Sequence, residues 1–482
     1  MDNDTIAAIA TGMRPAGISI IRISGDKAFE IADKVFRARS GRSVEKMKSF
    51  TVSYGNIVRQ SKAHGNDTDS TVSEILDEVL LIKMAAPKTY TRENIVEIDC
   101  HGGIAVTKAV LDLILSNGAR LAEPGEFTKR AFLNGRIDLS QAEAVSDLIA
   151  SGSEAAVRNS VKQLGGEIRD RISALRNELL TKTAYIEAAL DDPEHIELEG
   201  FSETLSKTVG EAETAIEKLI VSFESGRIIK NGINTVILGL PNVGKSSLMN
   251  RILGTERAIV TDIAGTTRDT LSESAVFNGI MLNIIDTAGI RNTDDVIEKI
   301  GVEKAREAAE NADLLLFVTD AGQTLVREEE TEILKTLTDK NAIILINKTD
   351  ISNDSDISGF IGDIREKCGI TGNNENMIPI VEISAKTGKG IEELGDCISE
   401  MFFKGRINAD DEIYITNVRQ KELLVSARKS LDNVRSAIDQ GLSEDFYTID
   451  LMDAIASLGK ITGENVEDEL ANKIFSEFCM GK

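Results

Sequence analysis

Thr235-Val-Ile-Leu-Gly-Leu-Pro-Asn-Val-Gly-Lys-Ser246 decides the fold of the central part of this chain. Thr235 to Leu238 reads as a short strand, Gly239 to Ser246 matches G-x-x-x-x-G-K-S, and a helical pattern follows. Strand, glycine turn and helix in that order make a phosphate cradle. The turn exposes backbone N–H groups, the Lys245 ammonium reaches the β- and γ-phosphates, and the Ser246 hydroxyl ligates Mg2+. Asn242, Val243, Gly244 and Ser247 complete the expected phosphate-binding segment.

Outward from that motif, residues 230 to 403 alternate strands with helices, the strands being Met281 to Ile285, Leu314 to Val318, Ile343 to Ile346 and Ile378 to Ile383. Such alternation predicts a mostly parallel sheet with its ligand at the carboxyl edge of the strands. Asp286-Thr287-Ala288-Gly289 ends one of them, placing a carboxylate near Mg2+ and the Gly289 N–H near the γ-phosphate. The loop Thr261-Asp262-Ile263-Ala264-Gly265-Thr266-Thr267 lies between the two motifs, and Thr267 is set to close over the metal. Asn347-Lys348-Thr-Asp350 follows another strand. The Asp350 carboxylate accepts from guanine N1–H and the exocyclic amine, a donor pair that adenine lacks, which predicts GTP over ATP. Ser384-Ala385-Lys386 supports the same base pocket.

A Ras-like enzyme orients its attacking water with a Gln directly after D-x-x-G, but this chain has Ile290 there. Two substitutes are open. Asn242 offers a side-chain carbonyl that, with the 261 to 266 loop, holds a monovalent cation over the phosphates, or it simply caps the loop. Among the acids that follow, Asp294, Asp295 and Glu298 each stand either for the missing Gln or for a solvated charge at a helix start.

The flanks differ from the centre. Residues 1 to 133 read as an α+β domain with strands at Ala16 to Ile23, Phe50 to Ile57, Glu78 to Met84 and Asn94 to Asp99, and a polar loop from Ser61 to Ser73. From 134 the period becomes helical, with Val157, Val161, Leu164, Ile168, Ile172, Leu175 and Leu179 on one stripe. Residues 404 to 482 are helical again, with Leu423, Leu424, Ala427, Leu431, Val434 and Ile438 on one face. The expected architecture is therefore multidomain, α+β and α/β. An N-terminal domain (1–133) precedes a split all-helical domain (134–229 and 404–482) that receives an inserted P-loop GTPase domain (230–403).

A formal net charge of −24 argues against non-specific binding to nucleic acid or anionic membrane, so any RNA contact must be local or come from a partner. No apolar run approaches 18 residues and the N-terminus has no basic leader pattern, which predicts a soluble cytoplasmic protein with no membrane partner. Cys100, Cys368, Cys397 and Cys479 show neither metal-ligand nor disulfide spacing.

Asp4-Thr-Ile-Ala-Ala-Ile-Ala10, Pro124-Gly-Glu-Phe127, Ala131-Phe-Leu-Asn134 and the terminal Cys479-Met-Gly-Lys482, together with the nucleotide motifs, make the whole chain resemble the MnmE (TrmE) family of tRNA-modifying GTPases. The resemblance implies a homodimer that works with the FAD protein MnmG, the FAD being on that partner only. The pair gives carbon 5 of the tRNA wobble uridine an aminomethyl or carboxymethylaminomethyl group, using a one-carbon unit from a tetrahydrofolate in its 5,10-methylene or 5-formyl form. It implies folate binding by the N-terminal domain through Arg22, Glu93 and Arg136 with Lys482. It implies potassium held at Asn242, Thr261, Ile263 and Thr266, Mg2+ at Ser246 and Thr267, and the water-orienting role at Glu298 with Lys245 and Thr267 completing the catalytic set. The chain departs from the family at Thr11-Gly-Met-Arg-Pro-Ala-Gly17 and at Arg92, and it has Arg136 where Lys is common. A GTPase switch of ribosome assembly would share the nucleotide motifs, but neither a folate pocket nor a terminal Cys-x-Gly-Lys has a use there.

Overall fold

The computed structural model describes residues 4–62, 71–196, 200–254, 272–285, 309–323, 325–335, 337, 340–352, 354–367, 378–403, 413–464, 468–476, 478 and 481. The chain divides into two compact units, Met1–Ser146 with Gly459–Lys482, and Asp147–Leu458.

The first unit is built on a seven-stranded sheet. Its strands are β1 (Ile6–Ile9), β2 (Ala16–Ser24), β3 (Phe36–Ala38), β4 (Thr51–Lys62), β5 (Thr71–Met84), β6 (Ile95–Gly102) and β7 (Arg120–Leu121), in the order β3-β4-β5-β6-β2-β1-β7. Neighbours are antiparallel except β1 and β7. Alternation along the strands sends Ile21, Ile23, Val79, Leu81, Val96 and Ile98 to one face. The helices Ala28–Val35 and Ile104–Ser116 cover that face. Ala28, Ile31, Ala32 and Val35 recur at three- and four-residue steps, so the first of these helices buries a single stripe. The opposite face is left with Ile18, Val52, Tyr54 and Leu80 exposed.

The expected polar loop from Ser61 to Ser73 is too long. Lys62 pairs with Thr71, Ser61 with Val72 and Gln60 with Ser73, so the β4–β5 ladder runs through much of it. Ladder hydrogen bonds are made by backbone groups, and polar side chains do not prevent them.

The second unit holds a six-stranded sheet of β8 (Ile233–Leu238), β9 (Ser272–Phe277), β10 (Ile280–Ile285), β11 (Leu314–Asp320), β12 (Ala342–Asn347) and β13 (Ile380–Glu382) in the order β13-β12-β11-β8-β10-β9. All pairs are parallel except β10 with β9. Helices bury both faces. Ile237, Leu282 and Leu316 pack with Leu248, Ile252, Leu394 and Ile398 on one side, and Val236, Phe317 and Ile344 pack with Ile357, Phe360 and Ile364 on the other. The edge strand β9 is absent from the sequence reading above. Its signal is Asn278-Gly279 before β10, both at positive φ (50° and 78°), the turn that joins two antiparallel strands through two residues.

The helical stripe from Val157 to Leu179 is broken. Glu154–Leu164 and Glu167–Asp191 are separate helices, interrupted at Gly165-Gly166. Val157 and Val161 are exposed, and Ala155, Ala156, Asn159, Ser160 and Gln163 form the buried side. The physical reason is backbone satisfaction. Asn159 Nδ2 and Gln163 Nε2 donate to the Tyr414 carbonyl at 3.1 and 2.8 Å, and Tyr414 N–H returns a bond to Asn159 Oδ1 at 3.1 Å. Polar side chains are thus inside because an irregular segment beside them needs partners. Helix Val418–Asp439 buries Leu424, Ala427, Leu431 and Val434 of the expected face, together with Gln420 and Ala437, and leaves Leu423 and Ile438 half-buried at its margins. It runs beside Phe201–Asn231, linked by Arg435–Glu213 at 2.7 Å, Lys421–Glu224 at 3.2 Å and Arg428–Glu217.

Candidate functional site

In the second unit the strand β8 ends where the G-x-x-x-x-G-K-S turn begins. Helix Lys245–Leu253 starts directly after Gly244, so its unpaired first-turn N–H groups open onto the turn. Gly244 sits at φ 103°, and a Cβ there would stand 2.2 Å from Asn347 Nδ2, so a side chain is excluded by backbone and neighbour alike. Asn242 adopts φ 65°, a conformation Asn tolerates better than most residues, and its side chain is exposed. Lys245 Nζ donates to the carbonyls of Gly239 at 2.9 Å and Leu240 at 2.7 Å, holding the ammonium over its own turn. Ser246 and Ser247 are exposed at the start of the helix.

The base loops are tied to this turn by one side chain. Asn347, only 2% exposed at the end of β12, donates from Nδ2 to the Val243 carbonyl at 2.8 Å and accepts from Ala385 N–H at 2.9 Å. Ser384 is fully buried and its hydroxyl donates to Asp350 Oδ1 at 2.8 Å, aiming an otherwise exposed carboxylate. The N–H of Thr387 in turn donates to Ser384 Oγ at 3.2 Å. Asn242, Val243, Gly244, Lys245, Asn347, Asp350, Ser384 and Ala385 are thereby gathered at one edge of the sheet, past the carboxyl ends of β8, β12 and β13.

Two supports were not read from the sequence. Lys348, at φ 69°, pairs through Nζ with Asp320 Oδ2 at 2.6 Å at the end of β11. Arg251 donates from Nε to the Ala385 carbonyl at 3.2 Å and from Nη2 to the Lys386 carbonyl at 2.5 Å, pinning the second base loop. The position of Asp320 at the end of a strand is the only sequence signal for the first; none marks the second.

Thr261, Asp262, Ile263, Ala264, Gly265, Thr266, Thr267, Asp286, Thr287, Ala288, Gly289, Glu298, Cys368, Cys479 and Lys482 lie outside the described residues. Among the described residues no group of three His, Cys, Asp or Glu is placed to hold a metal ion. Cys100 is buried, and burial pushes its thiol up, away from reactivity.

In the first unit, Tyr90 gathers two of the expected cationic positions. The guanidinium carbon of Arg136 is 4.7 Å and that of Arg22 is 5.7 Å from the ring centroid. Arg22 also lies 5.6 Å from the Phe127 centroid and pairs through Nε with Glu97 Oε1 at 2.7 Å. Glu93 is engaged elsewhere, accepting from Ser24 Oγ at 2.7 Å and from Arg130 Nη1 at 3.1 Å. Arg130 also joins Asp4 and Glu126; burial disfavours its charge, but the Glu93 carboxylate, with Asp4 and Glu126, outweighs burial and raises its pKa. The carboxylate that sequence reasoning missed is Asp99. It follows Glu97 by two residues on the same face of β6, its Oδ1 is buried without a hydrogen-bond partner, and burial with the Glu97 charge pushes the carboxyl up. A nitrogen-rich ring carrying N–H donors would satisfy that oxygen. The chain terminus is close by, because a Cβ on Gly481 would stand 2.2 Å from the carbonyl of Ile9, in the strand where Ala8 pairs with Arg22.

The family model described as the MnmE helical domain matches residues 139–479, and the one described as the GTP-binding protein TrmE N-terminus matches residues 5–136. The chain belongs to the MnmE family. Relatives named tRNA modification GTPase MnmE include those of Lachnoclostridium phytofermentans, 53% identical over 100% of both chains, and Clostridioides difficile, 45% identical over 100% of this chain and 99% of that one. Among solved structures, a variant of Aquifex aeolicus Era bound to GDP.AlF4- is 29% identical and covers 41% of this chain and 66% of that one, at a TM-score of 0.27. At that score the likeness decides nothing, and the MnmE assignment rests on the family models and the full-length relatives. No described helix is long and apolar enough to cross a membrane.

Proposed function

We propose that the protein is a GTP hydrolase of tRNA modification. Its GTP cycle is activated by potassium and drives, with the FAD-dependent partner MnmG, addition of an aminomethyl or carboxymethylaminomethyl group to carbon 5 of the tRNA wobble uridine. The one-carbon unit comes from a tetrahydrofolate. The observation that carries the reading is the Asn347 strut, which couples a phosphate-binding turn to a base loop whose carboxylate, Asp350, is aimed by Ser384. A carboxylate so held selects guanine by its two donors. The full-length likeness to tRNA modification GTPases supports the substrate class.

The site assignments are part of the proposal. Mg2+ is held by Ser246 and Thr267, and potassium by Asn242, Thr261, Ile263 and Thr266, where it supplies the charge that an arginine finger supplies elsewhere. Glu298 positions the water, with Lys245 and Thr267 on the phosphates. Two copies meet across a dimer to order the 261 to 269 loop. Folate lies on the N-terminal domain (1–133) against Arg22, Arg136, Glu93 and Lys482, and the pair of guanidiniums about Tyr90 and the unpartnered oxygen of Asp99 support that placement. The GTPase domain (230–403) is inserted into a helical domain formed by 134–229 and 404–482, a reading supported by the ion-paired helices Phe201–Asn231 and Val418–Asp439. GTP turnover measured in potassium and in sodium tests the central claim. Hydrolysis is expected to be slow in sodium and much faster in potassium, and equal rates would refute it.

A further inference from the structure

In a chain of net charge −24, residues 34 to 50 invert the sign: Lys34, Arg37, Arg39, Arg42, Lys46 and Lys48 stand against Glu45 alone. All six cations are exposed. Three are compensated locally. Lys34 pairs with Glu30 at 2.8 Å, Arg39 pairs with Glu78 at 2.8 Å, and Arg37 donates to the carbonyls of Asp33 and Phe36 at 2.7 and 2.9 Å. Arg42, Lys46 and Lys48 have no side-chain ion pair or hydrogen bond among the described residues.

These three sit on a fixed loop. Val44 is fully buried and its N–H donates to Asp33 Oδ1 at 2.6 Å. Lys83, itself buried, donates from Nζ to the carbonyls of Glu45 at 2.8 Å and Met47 at 3.1 Å, and Met47 is buried between the exposed Lys46 and Lys48. The loop leaves the sheet at Ala38, which pairs with Gly55, and returns at Thr51, so its ends are four residues apart along β4, about 14 Å. Two aromatic side chains lie exposed at its base. Tyr54 carries the Arg39 guanidinium 5.8 Å from its ring centroid, and Phe50 is 58% exposed at φ 58°. A loop held by a buried lysine gives up little conformational freedom on binding, and cations interleaved with exposed aromatic rings suit a sugar-phosphate backbone with accessible bases.

We propose that this loop, through Arg42, Lys46 and Lys48 with Phe50 and Tyr54 beside them, is a contact surface for the RNA backbone of the tRNA substrate. The inference rests on the tRNA reading above. An anionic bilayer would take both the cations and the rings at its interface, so it is the likeness to tRNA modification GTPases that favours RNA here.

The test uses the full-length protein, unmodified tRNA and fluorescence anisotropy across a salt series. Each phosphate contact contributes about 0.7 to 0.9 to the slope of log K against log salt. The variant with Arg42→Gln, Lys46→Gln and Lys48→Gln together should lose roughly 2.1 to 2.7 from that slope, which is a weakening of about 100- to 500-fold at 0.1 M salt that fades towards 1 M. GTP turnover without tRNA should stay at the wild-type value, which shows that the variant is folded, and replacing Lys46 and Lys48 by Arg should keep the affinity. Wild-type affinity and slope in the Gln variant would overturn the surface assignment while leaving the tRNA reading intact. Absence of tRNA binding by the wild-type protein would overturn both. Binding of the wild type, but not the variant, to phosphatidylglycerol vesicles with tRNA affinity unaltered would overturn the RNA assignment in favour of a bilayer.

Discussion

Asn347→Ala removes the strut between the two halves of the proposed nucleotide pocket. The side chain is 2% exposed and makes two bonds, to the Val243 carbonyl at 2.8 Å and from the Ala385 N–H at 2.9 Å. Truncation leaves a carbonyl and an N–H behind in a buried place, at about 1 to 3 kcal/mol each. The sum is roughly 2 to 6 kcal/mol, and it opposes the assembled pocket that nucleotide requires. Even the lower figure corresponds to about 30-fold in affinity. Titration of a fluorescent GDP should therefore show at least that loss, with urea unfolding followed in parallel to separate a global effect. Asn347→Asp should do no better than Ala, because it keeps the acceptor for Ala385 and sets a second acceptor against the Val243 carbonyl. GDP affinity within threefold of wild type in Asn347→Ala would mean that the turn and the base loop hold their places without the strut, and the coupling argument would fall.

Asp350→Asn should weaken GTP and favour xanthosine nucleotides. Ser384 still has an acceptor at Oδ1, while the amide offers a donor where xanthine accepts; a mutant that continues to prefer GTP would displace Asp350 from the base pocket. Glu298→Ala should keep nucleotide affinity and lower hydrolysis by roughly 10- to 1000-fold, and a normal rate would move the water-positioning role to Asp294 or Asp295. In the first unit, burial alone would push Glu126 up, but hydrogen bonds from Arg120, the Glu123 N–H and Arg130 outweigh it and hold the carboxyl below its usual range. Its contribution to stability is therefore present above the ordinary carboxylate pKa and disappears as pH falls through the depressed folded value. Urea midpoints measured from pH 6 downward should drop less steeply for Glu126→Gln than for wild type; parallel curves would count against the linkage.

The P-loop, the guanine motif and the alternation of strands and helices are local patterns, and they were legible because each is written in consecutive residues whose backbone preferences agree with their role. Gly244 and Asn242 at positive φ, and the apolar runs Leu314 to Val318 in β11 and Ala342 to Ile346 in β12, are of this kind. Periodicity misled where burial served backbone satisfaction rather than apolar transfer. Val157 and Val161 look like core residues but face outward, because Asn159 and Gln163 are needed inside to hold Tyr414, about 250 positions away. The edge strand β9 escaped because its half-polar alternation is weak and only Asn278-Gly279 announces it. Separation in sequence likewise hid Asp320 beneath Lys348, 28 positions away, and Arg251 beneath the Ala385 carbonyl, 134 positions away. Composition and motif determined what class of ligand this chain must hold. Which side chains aim, brace or stay unsatisfied around that ligand was decided only when the fold brought distant residues within hydrogen-bond reach, since a contact energy depends on three-dimensional neighbours that no local pattern encodes.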